Sequence, residues 1–194
     1  MNFDAIVTGV GGQGVLSVTA LIIAGGADAG LRIKMSEEHG MAQRGGSVVT
    51  HLRLSDREIC SDLVPLGRAR LVLGLEPLEA LRQATYLAAD GILLTTSEPV
   101  VNFPGYPALE ETLRAIGRLP GAIVIETARL SRQGGGRPAD NMVMLGAAAA
   151  LLPFPAEFLE HRLREMFDPK GARVVESNLR AFQAGRDATV CARA

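Results

Sequence analysis

The sequence predicts an α/β fold: a Rossmann-like, mixed but mostly parallel sheet with flanking helices and a helical C-terminal third. The hydrophobic fraction is 47% while aromatic residues make up only 4%, a composition that suits a buried parallel sheet. Short apolar runs alternate with segments of helical period along most of the chain. The chain of 194 residues is long enough for one core and short for two. We therefore expect residues 1–194 to form a single domain.

The N-terminal segments predict the opening of a βαβ unit. Residues 4–8 form a short apolar run that is typical of a buried strand, and glycines follow it at once. An apolar helix is expected over residues 13–29, with Gly30 as its stop. Residues 31–35 predict the second strand, which a right-handed crossover would reach.

The next segment departs from simple alternation. Residues 36–46 are polar and glycine-rich without a helical period, and they predict a loop. Residues 47–54 are β-branched and partly alternating, as expected for a strand with one wetter face. Because no helix separates this strand from the previous one, we expect an antiparallel or mixed insertion.

Regular alternation of strands and helices resumes after this insertion. Strands are predicted at residues 69–75, 91–96 and 122–127, and helices at 77–84 and 108–118. Three further helices are predicted in the C-terminal third, at residues 140–152, 156–167 and 173–184, with prolines between them. Clusters of helix breakers predict loops at residues 99–107 and 131–138.

Charge and composition exclude several functional classes. Twenty basic and 21 acidic residues give a net charge of −1, without the basic excess that nucleic-acid binding normally needs. The N-terminus lacks the pattern of a secretion signal, and the longest apolar run, residues 142–154, is too short to cross a bilayer. Cys60 and Cys191 stand alone, whereas an iron–sulfur cluster usually needs four thiolates. We expect a cytoplasmic protein with no nucleic-acid or membrane partner.

A glycine loop, residues 9–14, lies between the first predicted strand and helix and fits the pattern GxGxxG. Such glycines let the backbone approach a ligand, and the helix N-terminus then offers N–H groups to a phosphate. Alternatively, they serve only to pack the helix against the sheet, so dinucleotide binding stays open, with Glu37 or Glu38 as a ribose-binding acid. The candidate binding residues of this loop are Gly9, Gly11, Gly12, Gln13 and Gly14.

A polar loop, residues 36–47, concentrates titratable groups beyond the end of a predicted strand, where α/β proteins place ligands. His39 has a side chain that titrates near neutrality, and Arg44 can bind a carboxylate or phosphate bidentately. No metal-ligand spacing or nucleophile elbow is present, so we assign no catalytic residue and no metal ligand. The alternatives are a solvated loop or a subunit contact. The candidate binding residues are Glu37, His39, Gln43 and Arg44.

Five motifs carry a resemblance to a known family. GVGGQG at residues 9–14 and SEEHGMAQRGGSV at residues 36–48 are similar to the gamma subunits of pyruvate and 2-ketoisovalerate ferredoxin oxidoreductases. LGLEPLEAL at 73–81, NMVMLGA at 141–147 and NLRAF at 178–182 resemble most the beta subunit of indolepyruvate ferredoxin oxidoreductases within that family. The resemblance runs nearly end to end, and it adds Asn141 to the candidate binding residues.

The resemblance implies oxidative decarboxylation of a 2-oxoacid, with coenzyme A as co-substrate and ferredoxin as electron acceptor. This sequence has no GDG signature for magnesium and thiamine diphosphate and no cysteine set for a 4Fe-4S cluster. We therefore expect those cofactors in one or more larger partner subunits, and none bound by this chain alone. The chain would interact with ferredoxin only indirectly, through the partner subunits. In isolation we expect it to be inactive and able to form a homo-oligomer.

Two alternatives remain at this point. One is a free-standing NAD(P)- or flavin-binding oxidoreductase of the doubly wound type, which the glycine loop alone would allow. The other is a non-enzymatic dimerisation module. The 2-oxoacid also stays open between pyruvate, branched-chain and aryl substrates, and the motifs favour an arylpyruvate.

Overall fold

The computed structural model describes residues 1–40, 45–133 and 139–193. Its strands are β1 (Asn2–Val10), β2 (Arg32–His39), β3 (Ser47–Ser55), β4 (Ala69–Gly74), β5 (Leu87–Thr96) and β6 (Ala122–Ile125). Its helices are α1 (Val15–Asp28), α2 (Pro77–Arg82), α3 (Leu109–Ile116), α4 (Thr127–Gln133), α5 (Asp140–Ala149), α6 (Ala156–Phe167) and α7 (Ala172–Arg193).

The strands form one six-stranded sheet in the order β2-β3-β1-β4-β5-β6. Strands β1, β4, β5 and β6 run parallel, while β3 pairs antiparallel with both β1 and β2. The predicted α/β class and the antiparallel insertion are therefore confirmed. The carboxyl ends of the four parallel strands consequently meet at one edge of the sheet.

Helices cover both faces of the sheet, which explains why its central strands are continuous apolar runs. The larger core lies between the sheet and helices α1, α5, α6 and α7. The smaller core lies on the opposite face, where Ile6, Val72 and Leu93 of the sheet meet Ala80 of α2 and Ile116 of α3. Adjacent residues of β1 thus point to different cores.

Helices α5 and α7 cross at two glycines. A Cβ atom added at Gly146 would lie 1.8 Å from the carbonyl oxygen of Phe182. One added at Gly185 would lie 1.9 Å from the carbonyl oxygen of Val143. The two backbones therefore touch, and this contact fixes α5, whose first residues reach the site described below.

Several local predictions were wrong. Strand β5 begins at Leu87, four residues before the predicted start at residue 91. Strand β2 continues through Ser36 to His39, because an edge strand is held by backbone bonds to β3 and tolerates polar side chains. Helix α4 occupies Thr127–Gln133, where the end of a strand and a loop were expected. Helix α7 runs from Ala172 to Arg193, well beyond the predicted end at residue 184.

Within the described residues, no helix combines the length and apolar character needed to cross a membrane. Cys60 and Cys191 are free thiols at exposed positions.

Candidate functional site

A cavity of about 300 Å³ lies at the carboxyl edge of the parallel strands, which is where open α/β sheets bind ligands. The glycine loop forms one wall, the ends of β4 and β5 form its floor, and the starts of α4 and α5 form the opposite wall. The lining residues are Gly12, Gln13, Gly14, Leu75, Thr96, Thr127, Asp140, Asn141 and Met144. The structure therefore brings four of the predicted binding residues into one cavity.

Gln13 braces the floor of this cavity. Its Oε1 accepts a hydrogen bond of 2.7 Å from the backbone N–H of Val10, and its Nε2 donates one of 2.7 Å to the carbonyl of Leu75. The side chain thus joins the ends of β1 and β4, two neighbouring parallel strands. Its polar groups are engaged with the backbone, and a direct role in ligand binding stays a prediction.

The glycines of the loop are required for different structural reasons. A Cβ atom at Gly9 would lie 2.9 Å from Gln13 Oε1 and 3.1 Å from Leu75 Cβ, so this glycine permits close packing. Gly14 has φ +87°, and a Cβ atom there would lie 2.5 Å from Asn141 Nδ2. Gly12 has φ +104° with no atom within 4 Å of the added Cβ. Gly12 therefore leaves open space beside the cavity, as a ligand approaching the backbone requires.

Two helix N-termini converge on the cavity. Neither Gly14, which caps α1, nor Ala139, which caps α5, supplies a side-chain hydrogen bond to its helix. The first N–H groups of such helices have no partner within the helix and favour acceptor groups. Asp140 lies at the start of α5, and its Oδ1 is buried without a hydrogen-bond partner among the described residues. The cavity therefore offers donors from the backbone and one unsatisfied acceptor.

Two threonines of the cavity were not found from the sequence. The hydroxyl groups of Thr96, at the end of β5, and Thr127, at the start of α4, lie 2.6 Å apart in the buried interior. Thr96 Oγ1 also accepts the backbone N–H of Glu98 at 3.0 Å. The available signal was a threonine at or just beyond the end of an apolar strand, since Thr96 is the last residue of β5 and Thr127 lies two residues after β6.

The glycine loop and the polar loop meet through backbone bonds. The N–H of Gly11 donates to the carbonyl of Gly46 at 2.8 Å, and the N–H of Gly45 donates to the carbonyl of Gly11 at 3.3 Å. Asn102 Nδ2 donates to the carbonyl of Gly45 at 2.5 Å. The predicted residues Gln43 and Arg44 lie outside the described residues. Gly45, the neighbour of Arg44 in the chain, is held against the glycine loop.

Glu37 and His39 do not line the cavity. Both lie on β2, which β3 separates from β1 and its glycine loop. His39 Nδ1 lies 3.2 Å from Glu37 Oε1, and the His39 side chain is 64% exposed. Their assignment as binding residues stays a prediction, now for an outer edge of the sheet.

A pair of buried glutamates, which we call the acidic bridge, follows β4 and was also missed from the sequence. Glu76 is 1% exposed and Glu79 is 2% exposed. Glu76 caps α2, since its Oε2 accepts the Glu79 N–H at 2.7 Å. Tyr106 donates its hydroxyl to Glu76 Oε1, and burial together with this bond raises the pKa of Tyr106 well above its usual value. Ser47 Oγ donates to Glu79 Oε2 at 2.6 Å.

A larger groove, of about 1070 Å³, lies between α6 and α7. Its rim carries the ion pair of Arg180 with Glu176, and His161 Nε2 lies 3.3 Å from Glu165 Oε1. It contains none of the candidate residues and does not reach the edge of the sheet where the parallel strands end. The smaller cavity is therefore the candidate functional site.

Residues 4–188 match the profile of the pyruvate ferredoxin/flavodoxin oxidoreductase family. The chain is 38% identical to indolepyruvate oxidoreductase subunit IorB of Methanothermobacter thermautotrophicus, over 95% of this chain and 96% of that protein. It is 32% identical to the IorB subunit of Archaeoglobus fulgidus, over 100% of this chain and 98% of that protein.

Solved structures share the fold. Pyruvate oxidoreductase subunit PORC of Thermotoga maritima superposes with a TM-score of 0.73 at 23% identity, over 96% of both chains. The 2-oxoglutarate:ferredoxin oxidoreductase of Magnetococcus marinus, with 2-oxoglutarate, coenzyme A and succinyl-CoA bound, superposes with a TM-score of 0.77 at 21% identity. That match covers 98% of this chain and 31% of the other, so this fold forms one part of a longer polypeptide there.

Proposed function

Because this chain belongs to the pyruvate ferredoxin/flavodoxin oxidoreductase family, we propose that it is the small subunit of a 2-oxoacid:ferredoxin oxidoreductase. Relatives that match it over nearly their whole length are themselves named as subunits. The enzyme would transfer the acyl group of a 2-oxoacid to coenzyme A, release carbon dioxide and reduce ferredoxin. Cytoplasmic location is part of the proposal.

The residues of this chain do not fit the redox cofactors of that reaction. In the described ranges, no three His, Cys, Asp or Glu side chains stand close enough to hold a metal ion. Cys60 and Cys191 lie at exposed, separate positions. We therefore assign thiamine diphosphate, magnesium and the 4Fe-4S clusters to one or more larger partner subunits, and derive no chemical step from this chain.

The role we assign to this chain is to complete the partner's site for coenzyme A. The observation that carries this role is the joining of the glycine loop to the polar loop by the Gly11 bonds to Gly45 and Gly46. The glycine loop, together with Gly45 and Gly46, therefore lies at the edge of the sheet that holds the cavity. We propose that this edge faces the larger subunit.

The cavity has polar groups that suit coenzyme A. Phosphate oxygens are acceptors, and the uncapped N-termini of α1 and α5 offer them N–H donors. The pantetheine arm carries amide N–H groups, which would satisfy the buried Asp140 Oδ1. Arg44, adjacent to the anchored Gly45, is proposed to bind a phosphate bidentately.

For the oxoacid we propose an arylpyruvate. The relatives in Methanothermobacter and Archaeoglobus carry the name indolepyruvate oxidoreductase, and they match this chain almost end to end. The choice between oxoacids would be made chiefly in the pocket of the larger subunit.

Anaerobic purification of the tagged chain from its native host tests the assembly. We expect a larger thiamine diphosphate and iron–sulfur subunit in the eluate, and reduction of ferredoxin that requires both coenzyme A and indolepyruvate. The chain expressed alone should show no turnover. Absence of that subunit from active extracts, or micromolar binding of NAD(H) or flavin by the chain alone, would contradict the proposal.

Substitution of Arg44 tests the contact with coenzyme A. In the assembled enzyme, Arg44→Ala should raise the KM for coenzyme A about tenfold or more, the usual effect of losing a charged hydrogen bond. Arg57→Ala is the matched control, because the Arg57 side chain is 84% exposed and lies in the segment after β3, at the opposite end of that strand from Ser47. Equal KM values for the two variants would refute the contact.

A further inference from the structure

Burying the two carboxylates of the acidic bridge costs free energy, because they lose their hydrogen bonds to water. Two carboxylates that are 1% and 2% exposed have lost nearly all contact with water. Such groups persist when hydrogen bonds replace the solvent. The partners of Glu76 and Glu79 therefore indicate what the bridge holds in place.

The four carboxylate oxygens bind partners in three segments: α2, the loop of residues 97–107 and the start of β3. Glu76 Oε2 caps α2 through the Glu79 N–H, while Glu76 Oε1 accepts the Tyr106 hydroxyl and, at 3.4 Å, the Val100 N–H. Glu79 Oε2 accepts Ser47 Oγ at 2.6 Å, and Glu79 Oε1 accepts Arg82 Nη1 at 2.8 Å. The bridge thus ties the start of β3 and the loop of residues 97–107 to the end of β4.

The same two segments are tied to each other and to the glycine loop. Asn102, in the loop of residues 97–107, donates to the carbonyl of Gly45. Gly45 and Gly46 are bonded to Gly11. Hydrogen bonds, joined by the short stretches of chain between Ser47 and Gly46 and between Val100 and Asn102, therefore connect the buried carboxylates to the backbone of the glycine loop.

We propose that Glu76 and Glu79 are positioning residues, which hold Gly45, Gly46 and the loop of residues 97–107 against the glycine loop through Ser47 and Tyr106. In this way they set the affinity of the assembled enzyme for coenzyme A without touching it. This inference rests on the proposed function. A role confined to capping α2 would involve neither Ser47 nor Tyr106.

Ser47→Ala removes one link and leaves both glutamates in place. In the assembled enzyme we expect the KM for coenzyme A to rise about tenfold, because a hydrogen bond to a charged group is lost, while kcat stays within about twofold of wild type. Ser47→Thr keeps the hydroxyl and should restore the KM. Tyr106→Phe breaks the second link and should act in the same direction.

Ser55→Ala is the matched control. Ser55 lies at the other end of β3, is 2% exposed and donates its hydroxyl to Asn2 Oδ1 at 2.6 Å. It should lower the melting temperature about as much as Ser47→Ala and leave the KM for coenzyme A unchanged. Equal increases of the KM for coenzyme A in Ser47→Ala and Ser55→Ala would show that the acidic bridge acts only through stability, and would overturn the inference.

Hydrogen–deuterium exchange of the chain alone gives a readout that does not need activity. Ser47→Ala should increase deuterium uptake in peptides covering residues 45–54 and 97–107, and Ser55→Ala should leave the second unchanged. If the assembled enzyme has no coenzyme A-dependent activity, the proposed function fails. The deuterium uptake of residues 45–54 and 97–107 then decides alone whether Glu76 and Glu79 hold these two segments in place. Active enzyme with an unchanged KM in Ser47→Ala overturns the inference and leaves the proposed function intact.

Discussion

Gly146→Ala tests the crossing of α5 and α7. The added Cβ would lie 1.8 Å from the Phe182 carbonyl oxygen, so the helices must separate by about 1.6 Å or more to restore an ordinary contact. Overpacking costs about 1–3 kcal/mol and occasionally more, and a clash with backbone that cannot rotate away falls at about the upper limit, 3 kcal/mol. Alanine returns about 1 kcal/mol through its higher helix propensity. The free energy of unfolding should therefore fall by about 2 kcal/mol or more.

Thermal unfolding followed by circular dichroism measures this effect. A loss of that size corresponds to a fall in melting temperature of at least about 4 °C for a chain of this length. Gly117→Ala is the control, because Gly117 has φ −63° and its added Cβ would lie 3.4 Å from the nearest atom, the Leu113 carbonyl oxygen. Gly117→Ala should leave the melting temperature unchanged or slightly higher. A Gly146→Ala variant that melts with wild type would refute the described backbone contact.

Three further predictions concern the site and the core. Gln13→Ala leaves the Val10 N–H and the Leu75 carbonyl without their partner and should cost about 2 kcal/mol in urea unfolding; an unchanged midpoint would argue against the brace. Gly14→Ala places a side chain at φ +87°, which should lower the free energy of unfolding by about 1–2 kcal/mol. The added Cβ also clashes with Asn141 Nδ2. The double variant Gly14→Ala/Asn141→Ala should remove the cost of that clash and keep the cost of the backbone strain. Burial lowers the pKa of His51, so the unfolded chain binds more protons and stability should fall as the pH drops below about 6.5. His51 Nδ1 accepts the Val64 N–H at 3.1 Å, a bond that the amide oxygen of an asparagine can replace. His51→Asn should therefore make the melting temperature depend less on pH below about 6.5. An unchanged pH dependence would assign it to other groups.

The fold was predictable wherever side-chain pattern and burial agree. Helix α6 spans Ala156–Phe167, the same bounds as the prediction, because Pro155 sets its start and its apolar face is periodic. The outer half of β2 was not predictable, since its Ser36–His39 segment is polar and is held by backbone pairing with β3. Helix α4 is a similar case, because its seven residues follow a strand without a breaker between them.

The site was predictable only in its local part. The glycine loop is a contiguous motif that predicts three of the residues lining the cavity, and the family resemblance predicts a fourth, Asn141. The acidic bridge depends on pairs that are far apart in the chain, such as Ser47 with Glu79 and Glu76 with Tyr106. The sequence around Glu76 and Glu79 has no pattern that predicts the burial of their side chains. The pairing of β3 and β4 on either side of β1 brings Ser47 to Glu79, and the loop after β5 brings Tyr106 to Glu76.

The position of Asn141 beside Gly14 has a consequence for the time course of biosynthesis. The glycine loop leaves the ribosome early, but the residue that forms its opposite wall follows roughly 130 residues later, which at about 5–20 residues per second is on the order of ten seconds. Helix α5 is then secured only when Gly185 arrives to meet Val143. A nascent chain therefore carries an incomplete cavity until the segment that contains Gly185 has been made.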